Sequence, residues 1–296
     1  RPVREPVPTA PTPATQFGPL CPQRGPMSPA MSEDCLFLNI WTPDAHPSAL
    51  RPVMVYFHGG AYNWGSVTDP LTHGAKLAEE GDVVVVTANH RLNLFGYDWL
   101  GPLGERFRHS GNAGQLDLIC ALEWIREHIG AFGGDADRVM VFGQSGGGAK
   151  IATLMAMPAA DGLFHTAATM SGQQVTAQGP GNGWRRTRAL LDHLGLAEDD
   201  RAALLALPYE RLLEGLEATD PVLGGSLYFG PTLDMLHLHR HPFWPDAAPQ
   251  SRHIPMILGN TRHETRAFIR SDGPVVQGLD WQNIAERLAP QIRIDL

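Results

Sequence analysis

Three things are scarce in this sequence. Cysteine is one, with Cys21, Cys35 and Cys120 the only three in 296 residues. That is too few for a disulfide-stapled scaffold, and a chain this long buries roughly 75% of its unfolded surface without needing disulfide or metal. Long apolar runs are the second. No stretch approaches ~18 apolar residues, so no segment can cross a bilayer as an apolar helix. Positive charge is the third. Lysine and arginine total 23 against 31 acidic residues, a formal net charge of −8 with no basic stripe. Nucleic acid and anionic membrane are poor partners for such a surface. No signal peptide heads the chain, but it opens on Arg1 rather than Met and reads as a fragment or a processed product. Cys21 and Cys35 would close a loop worth about 3 kcal/mol as a disulfide on the chain-entropy model. Two reduced thiols are the alternative. Cys120 falls in an apolar helical stretch and reads as a core residue.

What is present is an alternation of short strands and helices. Residues 1–30 form a proline-rich, extended lead-in. Strands are expected at 35–41, 52–58, 82–90, 138–143, 165–172 and 253–260, where short runs of β-branched and aromatic residues recur. A helix is expected over 72–82, stopping at Gly81. Another spans 112–135, with Leu116, Ile119, Leu122, Ile125, Ile129 and Phe132 on one face and Gly133 and Gly134 as its stop. A third runs over 146–158. Residues 179–183 (GPGNG) look like a linker before a helical stretch from 184 to 218. Such alternation predicts an α/β fold, a mostly parallel central sheet with helices on both faces.

Two glycine-rich stretches carry the chemistry. Gly143-Gln144-Ser145-Gly146-Gly147 follows a predicted strand and opens a predicted helix, the setting in which G-x-S-x-G forms a nucleophile elbow. A sharp turn there exposes the serine oxygen above the carboxyl edge of the sheet, at a helix N-terminus that favours developing negative charge. A serine nucleophile needs backbone N–H donors for the oxyanion it creates. His58-Gly59-Gly60-Ala61 follows another predicted strand and matches the HGGG-type loop of lipases and esterases. Gly60 and Ala61 are the candidate donors, with Gly146 the third. His58 is expected to be structural. Gly59, Tyr62, Trp64, Phe229 and Trp244 are candidates for lining an acyl or alcohol pocket.

These motifs resemble the type-B carboxylesterases of the α/β-hydrolase fold, the group that includes the cholinesterases. Residues 31–39 match the SEDCLxLN signature, Asn89-His90-Arg91-Leu92 the N-[YH]-R-L segment, Gly111 to Asp135 the approach to an FGGD turn, and Phe142 to Gly147 the FGxS[AG]G elbow. They occur in family order over nearly the whole chain. The resemblance implies a partial α/β-hydrolase domain over 1–296, incomplete at both termini. It implies a disulfide between Cys21 and Cys35, and with it an exported, secreted or periplasmic location. It also implies that Glu264, in Gly259-Asn260-Thr261-Arg262-His263-Glu264, is the acid of a Ser-Glu-His triad.

The expected activity is hydrolysis of a small carboxylic ester through an acyl-enzyme on Ser145, with no cofactor or metal; no oligomeric state is implied. In this fold the histidine follows the acid in the chain, yet the last of 13 histidines is His263. The resemblance therefore puts the base beyond residue 296 and predicts little turnover by this chain alone. An internal arrangement would use Asp234 as acid with His253 or His263 as base. The alternate histidines His237, His239 and His241 raise a metal site, but without nearby carboxylates or cysteines. Two further readings are a shorter esterase of the hormone-sensitive-lipase group, whose motif is not SEDCLFLN, and a catalytically silent adhesion member of the same family, which would lack the elbow serine.

Overall fold

The computed structural model describes residues 2–4, 13–25, 30–264 and 276–288. Six strands form one sheet: β1 (Leu38–Trp41), β2 (Arg51–Phe57), β3 (Val84–Ala88), β4 (Gly134–Gln144), β5 (Thr166–Met170) and β6 (Met256–Gly259). Their order is β1-β3-β2-β4-β5-β6. Only β1 runs antiparallel, pairing Leu38 with Ala88 and Ile40 with Val86. The others are parallel, with Val55 opposite both Val86 and Val141.

Alternation along the strands sends neighbouring side chains to opposite faces. Val53, Val55, Val84, Val86, Val139 and Val141 enter the main core with Leu118, Leu122 and Ile125 of α3 (Ala113–His128) and Ile151 and Leu154 of α4 (Gly146–Ala156). Met54 and Val85 point the other way, into a cluster with Ala78 of α1 (Ala75–Gly81). Helices therefore cover both faces. The stripe of α3 is buried as its spacing predicts, from Leu116 to Ile129. The helix gives way at Ile129 to a 3₁₀ turn, and Gly133, with φ 77°, ends it.

Two expectations need correction. GPGNG is not a linker: Gly179 caps and Pro180 opens α5 (Pro180–Leu194), because the fixed φ and missing N–H of proline suit the first helical position. Strand β4 also begins earlier than expected, at Gly134, since Arg51 pairs back to it across a register shift. Beyond α5 lie α6 (Arg201–Ala206) and α7 (Tyr209–Glu214). The short α2 (Asn93–Tyr97) follows β3, and α8 (Ile284–Leu288) lies near the end of the described chain.

The family motifs brace this scaffold. Arg91 grips the buried Asp117 of α3 through Nε (2.9 Å), Nη2 (2.7 Å) and its own backbone N–H (2.9 Å). Asn89 accepts the Val67 N–H. The described part of the lead-in is anchored: Leu20, Cys21 and Gln23 are buried, and Gln23 bonds both the N–H and the carbonyl of Gly65. Cys21 and Cys35 share a buried cluster with Leu92. Their thiols lie within hydrogen-bonding reach of each other, and burial raises the Cys21 thiol well above its ordinary value.

One buried carboxyl sets a pH dependence. Asp98, at the end of α2, pairs with no cation among the described residues and accepts the Thr187 hydroxyl at 2.5 Å. Burial pushes its pKa up to about 7. The folded state then holds a proton that the unfolded chain releases near pH 4, so this residue's contribution falls as pH rises from about 4 to about 7. Asp98→Asn should flatten that part of the stability profile, measured as Tm across the interval. A decline unchanged in the variant would show that Asp98 is not its source.

Candidate active site

Ser145 joins β4 to α4 with φ 54° and ψ −122°. A non-glycine residue on that side of φ is strained and persists only where its surroundings hold it. Here the surroundings are backbone. A Cβ on Gly147 would lie 2.0 Å from the Phe57 carbonyl oxygen, one on Gly172 1.9 Å from the Ser145 carbonyl oxygen, and one on Gly146 2.2 Å from that of Ala61. The glycines remove these atoms so that four segments can touch. The Ser145 N–H donates to Met170 at 2.8 Å, tying the turn to the end of β5.

The loop after β2 comes against this turn. A Cβ on Gly59 would stand 3.6 Å from that of Ser145. Gly60 (φ 84°) and Ala61 (φ 52°) are both left-handed. All four carbonyls of residues 58–61 are engaged. Lys150 Nζ donates to His58 (3.0 Å) and Ala61 (2.8 Å). His58 Nδ1–H donates to Gly59 at 2.9 Å, and the N–H groups of Asn63 and Trp64 donate to Gly60. In a trans peptide the N–H points opposite to the carbonyl. The Gly60 and Ala61 N–H groups thus point away from these partners, and among the described residues neither is bonded.

Glu264 reaches the same edge of the sheet. Its carboxylate accepts the Ser171 hydroxyl at 2.5 Å and the Thr261 N–H. The Ser171 bond, more than the backbone one, holds it below the ordinary carboxylate range. Ser171 itself has φ 53° and precedes Gly172, so the carboxylate is two residues removed from the elbow contact. No described histidine completes the set. All 13 histidines are described, and none hydrogen-bonds Ser145 or Glu264. His58 and His90 stack at 4.5 Å in the interior; burial, then the charge of Lys150, lowers both, His58 to about 3.

The other candidates separate. Asp234 accepts the N–H groups of Leu236, His237 and Leu238 and the Asn112 amide, which makes it a loop brace. His237 bonds His109 at 2.6 Å, His241 accepts the Ala177 N–H, and His239 contacts the Leu236 carbonyl. Tyr62 and Phe229 are both fully buried in a secondary core with Tyr97, where the Tyr62 hydroxyl meets Thr153 at 3.2 Å. Trp64 is exposed on the loop carrying Gly60 and Ala61. Trp244 is exposed too and packs edge-on against His241.

Sequence reasoning passed over Lys150, Ser171 and Gly172. Lys150 had a visible signal, the single charge in the apolar stretch GGGAKIATLMAMP. Ser171 and Gly172 had none, because their role depends on where β5 ends beside β4.

A parallel sheet with a strained serine between strand and helix, faced by a glycine loop, defines an α/β-hydrolase. The family model described as the carboxylesterase family matches residues 2–287. Para-nitrobenzyl esterase of Bacillus subtilis is 40% identical over 272 residues, 88% of this chain and 55% of that protein. Phenmedipham hydrolase of Pseudarthrobacter oxydans is 37% identical over 269 residues, 87% of this chain and 50% of that protein. The crystal structure of a Geobacillus stearothermophilus carboxylesterase superposes with a TM-score of 0.84 at 38% identity, covering 95% of this chain and 57% of that one. The chain belongs to the carboxylesterase family. It spans about half the length of the relatives it matches.

The tight approach at Gly172 is testable. Gly172→Ala drives a methyl group into the Ser145 carbonyl oxygen, and displacing a reacting group by about 1 Å can cost 100-fold. In the full-length protein the variant should label with a fluorophosphonate about 100-fold more slowly, with a lowered Tm. Wild-type labelling and Tm would refute the contact.

Proposed function

We propose that this chain carries the nucleophile, oxyanion site and acid of a carboxylic ester hydrolase. The observation that carries the reading is the strained φ of Ser145 directly against a loop whose Gly60 and Ala61 N–H groups are unbonded. Ser145 Oγ gives its proton to the general base as it attacks the ester carbonyl. The carbonyl oxygen becomes an oxyanion, met by the Gly60, Ala61 and Gly146 N–H groups. The alcohol leaves with a proton from the general base, and water then attacks the acyl-enzyme by the reverse route. Glu264 orients that base, and its lowered pKa keeps it ionised for the task.

The base is proposed to be a histidine from polypeptide beyond residue 296, because none of the 13 here reaches Ser145. Residues 1–296 are then one part of an α/β-hydrolase domain. Small esters are the substrate class; the hydrolases among the relatives act on a para-nitrobenzyl ester and on phenmedipham by their names, and pocket shape will select among esters. Cys21 and Cys35 are proposed to pair where an oxidant can accept their two hydrogens, which suits an exported protein.

A fluorophosphonate should label the full-length protein at Ser145, and Ser145→Ala should abolish both labelling and ester turnover. Residues 1–296 alone should turn over roughly a millionfold slower, the cost of losing the base of a comparable triad. Ser145-dependent turnover by 1–296 at the full-length rate would place the base inside this chain. Intact mass without reductant should be lower by two hydrogens if Cys21 and Cys35 are paired; an unchanged mass would show free thiols.

A further inference from the structure

The chain has only two lysines, Lys76 and Lys150. Lys76 is on the surface beside Glu80. Lys150 is fully buried in α4, five residues after Ser145. A buried ammonium is costly unless compensated. Among the described residues no carboxylate pairs with it, and burial alone lowers it, to about 7. The groups around it are basic or neutral: the stacked rings of His58 at the end of β2 and His90 after β3, and the Tyr62 ring, whose centroid is 5.7 Å from Nζ. Packing does not require the charge, since methionine would fill much of the same space.

What Lys150 touches is the loop. Its two acceptors, the carbonyls of His58 and Ala61, are the entrance and the exit of the HGGA turn. Between them lie the left-handed Gly60 and Ala61, and alanine disfavours that region. Anchoring both ends of the turn restricts the two peptides between them, whose own carbonyls are held by His58 and by the Asn63 and Trp64 N–H groups, and so restricts the Gly60 and Ala61 N–H groups. We propose that Lys150 is the positioning residue of the oxyanion site, clamping the loop so that the Gly60 and Ala61 N–H groups converge on the developing oxyanion. The role rests on the ester-hydrolase reading. It explains why a charge is kept where an apolar residue would pack: preorganised donors in a water-poor site act most strongly on charge that appears only in the transition state.

The test compares Lys150→Met with wild type in the full-length protein, using a p-nitrophenyl ester. Active sites are counted by fluorophosphonate titration, so misfolded molecules do not enter kcat. Losing oxyanion stabilisation should lower kcat by about 100- to 1,000-fold and leave KM within about twofold. The inhibition constant of a trifluoromethyl ketone, whose adduct with serine carries the oxyanion, should rise by the same factor as kcat/KM falls. Tm should hold or rise, because replacing a buried charge by an apolar side chain is commonly neutral or stabilising. An unchanged kcat overturns the proposal. So does a drop in kcat/KM with no matching loss of ketone affinity, or a fall in Tm with kcat per titrated site intact; each leaves Lys150 a merely structural residue. Absence of Ser145-dependent turnover in wild type would sink the ester-hydrolase reading itself, visible without any Lys150 variant.

Discussion

Contact of backbone with backbone at the carboxyl edge of the sheet is the constraint on which the site depends. The ends of β2, β4 and β5 converge there, and the start of α4 must enter among them. Side chains cannot be accommodated at the crossings, which is why Gly147 lies on Phe57, Gly172 on Ser145 and Gly146 on Ala61. The positive φ of Ser145 follows from this crowding. It turns the chain from strand to helix within one residue, leaving the side chain at the edge and the helix axis behind it.

The same crowding explains the buried basic cluster. A loop that turns through two left-handed residues exposes its carbonyls on the inner side, where no strand or helix partner is available. Unbonded buried carbonyls are costly. Asn63 and Trp64 bond one from the chain that follows, His58 bonds another from its own ring, and Lys150 bonds the remaining two. The protein thereby holds a desolvated amine, lowered to about 7, and two neutral imidazoles behind the loop that faces Ser145, an arrangement unfavourable for stability. Functional sites are where such local disagreements with packing are expected.

Much of this was legible in the sequence. The β-branched runs predicted the strands, the stripe of α3 its buried face, and G-x-S-x-G after a strand its turn. Each depends on neighbours a few residues away, which a linear reading captures. The failures were of another kind. GPGNG has the composition of a linker, but a proline after a capping glycine also opens a helix, and only the packing of α5 decides between them. Tyr62 and Phe229 looked available to a substrate because aromatic residues near a motif are indistinguishable in sequence from core. The structure buries both against Tyr97.

By itself the sequence determined the α/β class, the elbow, the glycine loop and the lack of a histidine after Glu264, since each follows from residue type and order along the chain. Tertiary structure alone decided which carbonyls meet Lys150, that Ser171 links Glu264 to the elbow, and that Asp234 and the clustered histidines serve loops instead of Ser145. Lys150 reaches His58 across 92 positions, Ser171 reaches Glu264 across 93, and Asn112 reaches Asp234 across 122. No local pattern encodes such pairs; the sheet order creates them by setting β5 beside β4 and β4 beside β2.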